Sequence, residues 1–202
     1  MKKKDRKAIV RKEKKIIKIL KDMSKQNGKT IQQGEPTLHT LLEKGLKDIY
    51  SAEKQLVNAL PEVAQAADND ELEEAFNTHL EQTKKQVARL EKAFERMGIN
   101  KEETEKCVAM EGLIEEARKV IREYGRSAVR DSALIIGAQK IEHYEIAVYG
   151  SLCELADVLE DDKLGDLLGK SLEEEEDTDE LLSNIAQDVN DEAREMSMQE
   201  VE

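Results

Sequence analysis

Six residues of types that commonly bind metals occupy positions where helical periodicity calls for apolar side chains. Glu53, for example, falls between Ile49 and Leu56 on one predicted apolar stripe. The set consists of Glu53, His79, Glu142, Glu145, Glu175 and Asp179. An ionised carboxylate inside a protein costs several kcal/mol unless it is paired, hydrogen-bonded or coordinated. No Lys or Arg lies on these stripes, so the pattern predicts a bound cation.

The arrangement predicts a site for two metal ions, iron or manganese. Di-metal helical bundles use one Glu from each of two helices and a Glu-x-x-His pair from each of the other two. Here Glu142 and Glu145 form a pair spaced by three, and His79 is the one inward nitrogen ligand. Glu81 and His143 fall on the outward sides of their helices by the step of about 100° per residue. The site is therefore expected to be rich in oxygen and poor in nitrogen, which suits hard cations.

Several members of the set also have a purely structural interpretation, and at this point it stays open. Glu53 can be a boundary residue whose charged end reaches water. A single inward histidine such as His79 is more often a hydrogen-bonded core residue than a ligand. Glu175 belongs to the acidic run 173–177, and such runs are typical of solvated helix faces. The occurrence of inward acids on three different helices favours the metal site over these separate explanations.

Five predicted helices position these residues. The predicted ranges are 37–60, 69–98, 110–124, 127–152 and 162–189. Thr37 and Asn69 are suited to begin helices, Gly98 to end one, and Pro61 to kink one or to start a new turn. The first two long helices form one hairpin and the last two another, with a long crossover between them that contains the short helix. This order predicts an all-α, ferritin-like four-helix bundle.

The composition fits long helices and one domain with tails. Among 202 residues, 38% are charged and 3% are aromatic. Residues 1–30 carry a net charge of +10, which leaves −23 for the rest of the chain. We therefore expect a disordered basic arm at 1–36, a helical bundle at 37–190 and an acidic, frayed tail at 191–202. The arm could bind nucleic acid or another acidic partner.

Two isolated cysteines, Cys107 and Cys153, predict neither a disulfide framework nor a zinc site. No stretch approaches the roughly 18 apolar residues of a membrane span, and the basic N-terminus is not followed by an apolar signal core. The sequence therefore predicts a soluble cytoplasmic protein.

Five stretches of this sequence resemble the YciF-like family of bacterial stress proteins, of the ferritin-like superfamily. They are DIYSAEKQL (48–56), HLEQTKKQVARLE (79–91), KCVAMEGLIEEA (106–117), AQKIEHYEIAVYGSL (138–152) and LEEEEDTDELL (172–182). The resemblance implies a rubrerythrin-like fold, a homodimer and metal binding. It also implies that Glu53 is the lone ligand of the first helix, Glu142 and Glu145 the pair, and Glu175 the glutamate of the last helix.

This sequence departs from the superfamily pattern on two helices. Glu81 is followed three residues later by Lys84, and Glu175 by Thr178, so neither forms Glu-x-x-His. Three functional hypotheses follow: a di-metal stress protein with weak oxidase or peroxide-scavenging activity, a non-enzymatic structural or binding protein, and a DNA-associated protective protein that uses the basic arm. Whether the chain is an enzyme stays undecided at this point.

Overall fold

The structure is a computed structural model that describes residues 36–199. It contains four long helices and one shorter helix between the second and third of them. They are α1 (Leu38–Ala66), α2 (Asp70–Met97), α3 (Val108–Glu123), α4 (Ala128–Val158) and α5 (Asp162–Gln199), with a short 3₁₀ turn at Lys101–Glu103. No strand occurs within residues 36–199. Residues 1–35 and 200–202 lie outside the described residues, so the predicted basic arm and the boundaries of the tails stay predictions.

Local sequence signals fix where the helices begin and end. Thr37 and Thr40 form a capping box at the start of α1, and the Asn69 side chain accepts a hydrogen bond from the backbone N–H of Leu72 at the start of α2. Gly98 ends α2 with φ 68°, a left-handed conformation that costs glycine little. Ser127 caps α4 in the same way as Asn69 caps α2. The predicted starts of these helices are confirmed.

The four long helices form two hairpins that pack on each other, as predicted. Short connections join α1 to α2 and α4 to α5, and the members of each pair lie side by side. Contacts of α2 with α5, and of α1 with α4, close the bundle. The core is built from large aliphatic side chains, including Leu46, Ile49, Leu72, Leu90, Leu134 and Leu164. An all-α four-helix bundle with a helical crossover is therefore what the chain forms.

The crossover helix α3 lies across α1 and α4 and is attached at its first turn. The backbone N–H of Cys107 donates to Ser51 Oγ at 2.8 Å, and Gln55 Nε2 donates to the Cys107 carbonyl at 3.0 Å. The buried Cys107 Sγ lies 3.1 Å from Tyr144 Oη on α4. Because side chains of α1 satisfy both backbone groups of Cys107, the start of the crossover has a defined position over the bundle.

Three helices run beyond their predicted ends. The α4 helix reaches Val158, six residues past its predicted end at 152. The α1 helix continues through Pro61 to Ala66, so the proline neither ends it nor begins a separate element. The α5 helix continues beyond Val189 to Gln199. The added turns carry no apolar stripe, but residues 192–196 are Glu, Ala, Arg, Glu and Met, all good helix formers. None of the helices described here is long and apolar enough to cross a membrane.

Candidate metal centre

Three helices bring four ligand-type side chains together in the middle of the bundle. His79 comes from α2, Glu142 and Glu145 from α4, and Glu175 from α5; we refer to them as the four-residue cluster. One potential ligand atom from each lies within 4.8 Å of those of the other three. Glu142 and Glu145 reach the same point because residues three apart share a helix face. All four side chains are buried.

Glu53 supplies the acid of the remaining long helix, α1. Its side chain is fully buried, and it accepts a short hydrogen bond from Tyr149 Oη on α4. It lies outside the four-residue cluster, but the negative charge of Glu175 acts on it: burial raises the pKa of Glu53 well above 4.5, and Glu175 raises it further. Five of the six predicted residues are thus buried on inward faces, and all four long helices contribute.

Asp179 is placed differently from the other five. Its carboxylate is partly exposed, accepts a hydrogen bond from Gln139 Nε2 at 3.2 Å, and lies 3.6 Å from Nε2 of His143. His143 and Glu81 have 68% and 64% of their side chains exposed, in agreement with their predicted outward orientation. Asp179 and His143 therefore form a polar contact at the edge of α4 and α5, apart from the four-residue cluster.

Burial changes the protonation of every member of the four-residue cluster. It raises the pKa of Glu142 and Glu145 well above 4.5, and repulsion from neighbouring carboxylates adds to the effect. Burial also raises the pKa of Glu175, to about 7, and lowers the pKa of His79 to about 4. Without a cation, the low-dielectric interior therefore favours protonated acids beside a neutral imidazole.

Most polar atoms of these side chains have no hydrogen-bond partner. The buried atoms that lack one are Glu53 Oε2, His79 Nδ1 and Nε2, Glu142 Oε2, Glu145 Oε1 and Oε2, and Glu175 Oε2. The nearest approach of His79 to an acid is 3.4 Å, between Nε2 and Glu142 Oε1. An unsatisfied buried polar atom costs about 1–3 kcal/mol. Four of these side chains bring one ligand atom each within 4.8 Å of the others, and buried carboxylate oxygens with an imidazole nitrogen are donors that a divalent cation accepts, so the residues fit a bound metal.

Two residues that were not singled out in the sequence support this region. Gln86 on α2 is fully buried, and its Nε2 donates to Glu175 Oε1 at 2.5 Å and to Glu174 Oε2 at 3.1 Å. Arg89, one turn further, forms an ion pair with Glu174 and donates to Ser171 Oγ at 3.0 Å. Arg89 lies at the edge of the inward stripe, and its guanidinium is committed to Glu174. Its charge offsets that of the buried acids only in part: it lowers the pKa of Glu175 and of Glu53, but burial keeps both pKa values raised.

Tyr149 was not singled out in the sequence either, but it contacts a candidate ligand directly. Its ring is fully buried, and its hydroxyl donates to Glu53. That hydrogen bond lowers the pKa of Glu53 and so opposes part of the effect of burial. The sequence feature that indicates a place near the candidate ligands is its position on the same stripe as Glu142 and Glu145, one turn after Glu145.

Comparison with known proteins gives consistent relatives for this chain. Residues 37–194 match the family described as Domain of unknown function (DUF892). Protein YciF of Escherichia coli K12 is 50% identical over 141 residues, which are 70% of this chain and 85% of that protein. The crystal structure of the E. coli stress protein YciF superposes with a TM-score of 0.74 at 46% identity, covering 77% of this chain and 98% of that one.

Two further solved structures share the fold. YcfI from Rhodopseudomonas palustris has a TM-score of 0.72 at 37% identity, covering 76% of this chain and 98% of that one. A protein from Xanthomonas campestris has a TM-score of 0.63 at 19% identity, covering 80% of this chain and 99% of that one, and this likeness concerns the fold alone. The helical bundle at 37–194 is common to the family match and to these structures. The chain therefore belongs to the DUF892 family and is a YciF-like protein.

Proposed function

We propose that this protein binds two divalent metal ions, iron or manganese, between its four long helices. The observation that carries the proposal is the set of seven buried, unpartnered oxygen and nitrogen atoms of Glu53, His79, Glu142, Glu145 and Glu175. Protonation could neutralise the acids, but it would leave most of these atoms without partners. Divalent cations would neutralise the carboxylates and satisfy the atoms at once.

The donor set favours certain metals and a modest reactivity. Carboxylate oxygens outnumber the single imidazole, so hard or borderline divalent ions such as Mn²⁺ and Fe²⁺ suit it better than soft ones. When bound, such ions supply redox and Lewis-acid chemistry. Because one imidazole is available to tune them, we expect oxidase or peroxide-scavenging turnover to be slow. Asp179 is already engaged with Gln139, so we expect it to influence the site from its edge.

The biological role that we propose is in stress response. The E. coli relative is described as a stress protein, and it matches this chain along nearly its whole solved length. A buried di-metal site is compatible with such a role, because it can hold a redox-active ion away from solvent. A non-enzymatic structural role is the alternative, and the experiment below separates the two.

The test is metal content per chain after purification without chelator and dialysis. We expect two ions in the wild-type protein and a clear loss in Glu142→Gln and Glu145→Gln, which keep the side-chain volume but remove the charge. Glu81→Gln is the matched control, because it removes an exposed acid from α2 and should leave the metal content unchanged. Full occupancy in both cluster variants, or metal-free wild-type protein after loading with Mn²⁺ or Fe²⁺, would contradict the proposal.

We propose a second function for residues 1–30, which precede the family domain. Their net charge of +10 supports binding to a polyanion such as DNA, whereas the rest of the chain, at −23, is unsuited to it. Gel-shift titrations of the full chain and of a chain without residues 1–30 at several salt concentrations test this. We expect binding that weakens steeply with salt and is lost on deletion; equal binding by both chains would contradict it.

A further inference from the structure

An apolar cavity lies beside the four-residue cluster, under the crossover helix. Its volume, counted as the space open to the centre of a water-sized sphere, is about 30 Å³. All five helices contribute to its wall, which is mainly aliphatic and aromatic; characteristic lining residues are Leu56, Leu60, Phe76, Ile114, Leu134 and Leu182. His79 and Glu142 also line it, so the cavity borders directly on two candidate metal ligands.

The lining residues indicate where the cavity approaches the surface. His79 and Glu142 are buried, whereas Glu62 on α1 and Arg118 on α3 have about half of their side chains exposed. Arg118 Nε donates to Glu62 Oε2 at 3.0 Å, so an ion pair between the crossover and α1 covers the outer side. Exposed ion pairs of this kind contribute little and open readily. The cavity therefore extends from a loosely closed surface contact to the buried ligands.

Size and polarity restrict what can occupy this space. A water molecule needs about 10–15 Å³ by the same measure, so the cavity holds a particle of about two water molecules in size. Thr178 is one of the few polar residues in the wall, and its hydroxyl already donates to the backbone carbonyl of Glu174 at 2.8 Å. The aliphatic part of the wall offers water no hydrogen bonds and suits a small apolar molecule, whereas polar atoms face the cavity at the end formed by His79 and Glu142. A hydrated cation would find no oxygen ligands along the aliphatic part of the wall.

We propose that this cavity is a binding site for dioxygen, placed so that the gas reaches His79 and Glu142 from the side of α3. Dioxygen is apolar, diatomic and of matching size. The function of the site rests on the metal centre proposed above, to which the gas would be delivered. Binding of the gas itself depends only on the cavity. The structure thus assigns the crossover helix a role beyond connection, because Ile114 and Ala117 form the wall that separates this gas site from solvent.

The first test uses metal-free, full-length protein. Dissolved oxygen shortens the relaxation of nearby methyl groups in NMR spectra, and xenon under pressure shows apolar cavities in crystals. We expect larger oxygen-induced relaxation at the methyl groups of Ile114 and Leu134 than at Leu164 and Leu168, which are equally buried but do not line the cavity. Xenon should occupy the same place. Equal relaxation at both pairs, or ordered water in the cavity with no xenon, would overturn the proposal.

Two variants of the wall should change gas binding in opposite directions. Ala117→Leu fills the cavity and should abolish xenon binding, whereas Ile114→Ala enlarges it and should increase xenon occupancy. Ile185→Ala is the matched control, because it removes the same atoms from a buried position outside the cavity, and binding at the cavity should persist. If Ala117→Leu fails to fold, xenon occupancy in Ile114→Ala and the relaxation data of the wild type still test the proposal. Unchanged xenon occupancy in Ile114→Ala would count against it.

Metal content, measured on the same variants after loading with Mn²⁺ or Fe²⁺, keeps this proposal separate from the metal centre. Ala117→Leu should retain the metal content of the wild type, because Ala117 is not a candidate ligand. Gas binding by a wild-type protein that takes up no metal after loading with Mn²⁺ or Fe²⁺ would overturn the metal centre alone. Metal without gas binding would overturn the dioxygen site alone.

Discussion

Removal of metal should make the protein less stable as pH rises from about 7 to about 8. Burial raises the pKa of Glu53, Glu142 and Glu145 well above 4.5, so the metal-free folded chain keeps protons that the unfolded chain has already released. Stability falls with pH wherever the folded state binds more protons than the unfolded state. His79 adds little in this range, because its pKa falls from 6.5 to about 4 on folding and it is mostly neutral in both states.

The magnitude follows from the number of acids that stay protonated. Each such carboxyl contributes about 1.4 kcal/mol per pH unit. A single carboxyl that keeps its proton over this interval therefore gives a loss of about 1.4 kcal/mol between pH 7 and 8. The metal-loaded protein should show no such loss, because its ligands are already deprotonated and metal affinity grows with pH.

Urea unfolding followed by circular dichroism, at both pH values and with either chelator or Mn²⁺, measures the difference. Glu145→Gln should reduce the loss in the metal-free protein, since it removes one raised carboxyl without changing the side-chain volume. Glu81→Gln should not change it, because Glu81 is exposed. A free energy of unfolding that is the same at both pH values in the metal-free protein would refute the reasoning.

Four further substitutions test hydrogen bonds and packing in the bundle by the free energy of unfolding. Asp131→Ala should cost about 2–3 kcal/mol, because the buried carboxylate accepts hydrogen bonds from two backbone N–H groups at the start of α2; a cost below 1 kcal/mol would contradict this. Tyr149→Phe should destabilise the metal-free protein by about 1–3 kcal/mol, since it removes the hydrogen-bond donor to the buried Glu53. An unchanged free energy of unfolding would count against this prediction. Gly112→Ala should raise the free energy of unfolding by up to about 1 kcal/mol, because alanine favours a helix and its Cβ meets no other atom. Gly45→Ala should give no such gain, because its new Cβ would meet Leu152 Cδ2 at 2.6 Å. Equal gains in stability would contradict the close packing of α1 on α4.

The proposed dioxygen site gives the crossover helix a part in access to the metal centre. Helix α3 is attached at its start by hydrogen bonds between the backbone of Cys107 and two side chains of α1, and further along by the exposed pair of Arg118 and Glu62. The buried attachment holds the helix in place, whereas the exposed pair lies at the outer side of the cavity. A small local opening there would admit a gas molecule without disturbing the four-residue cluster.

The positions of the helices and the inward side of each one could be predicted from the sequence alone. Caps such as Thr37 and Asn69 are local hydrogen-bonding signals, and the period of 3.6 residues fixes the face on which a residue lies. For that reason the burial of Glu53 and of Glu145 could be predicted without any knowledge of the neighbouring helices. The end of α5 was predicted less well, because helix formers extend a helix even where no apolar face demands it.

Which inward residues meet depends on how the helices pack. Asp179 is four residues after Glu175, but four residues turn a helix by about 40° beyond one full turn, and this offset places it at the edge beside Gln139. The hydrogen bond of Gln86 to Glu175 and the cavity under α3 depend likewise on the spacing and relative height of separate helices. Periodicity is a property of one helix and carries no distance between two, so these features had to come from packing.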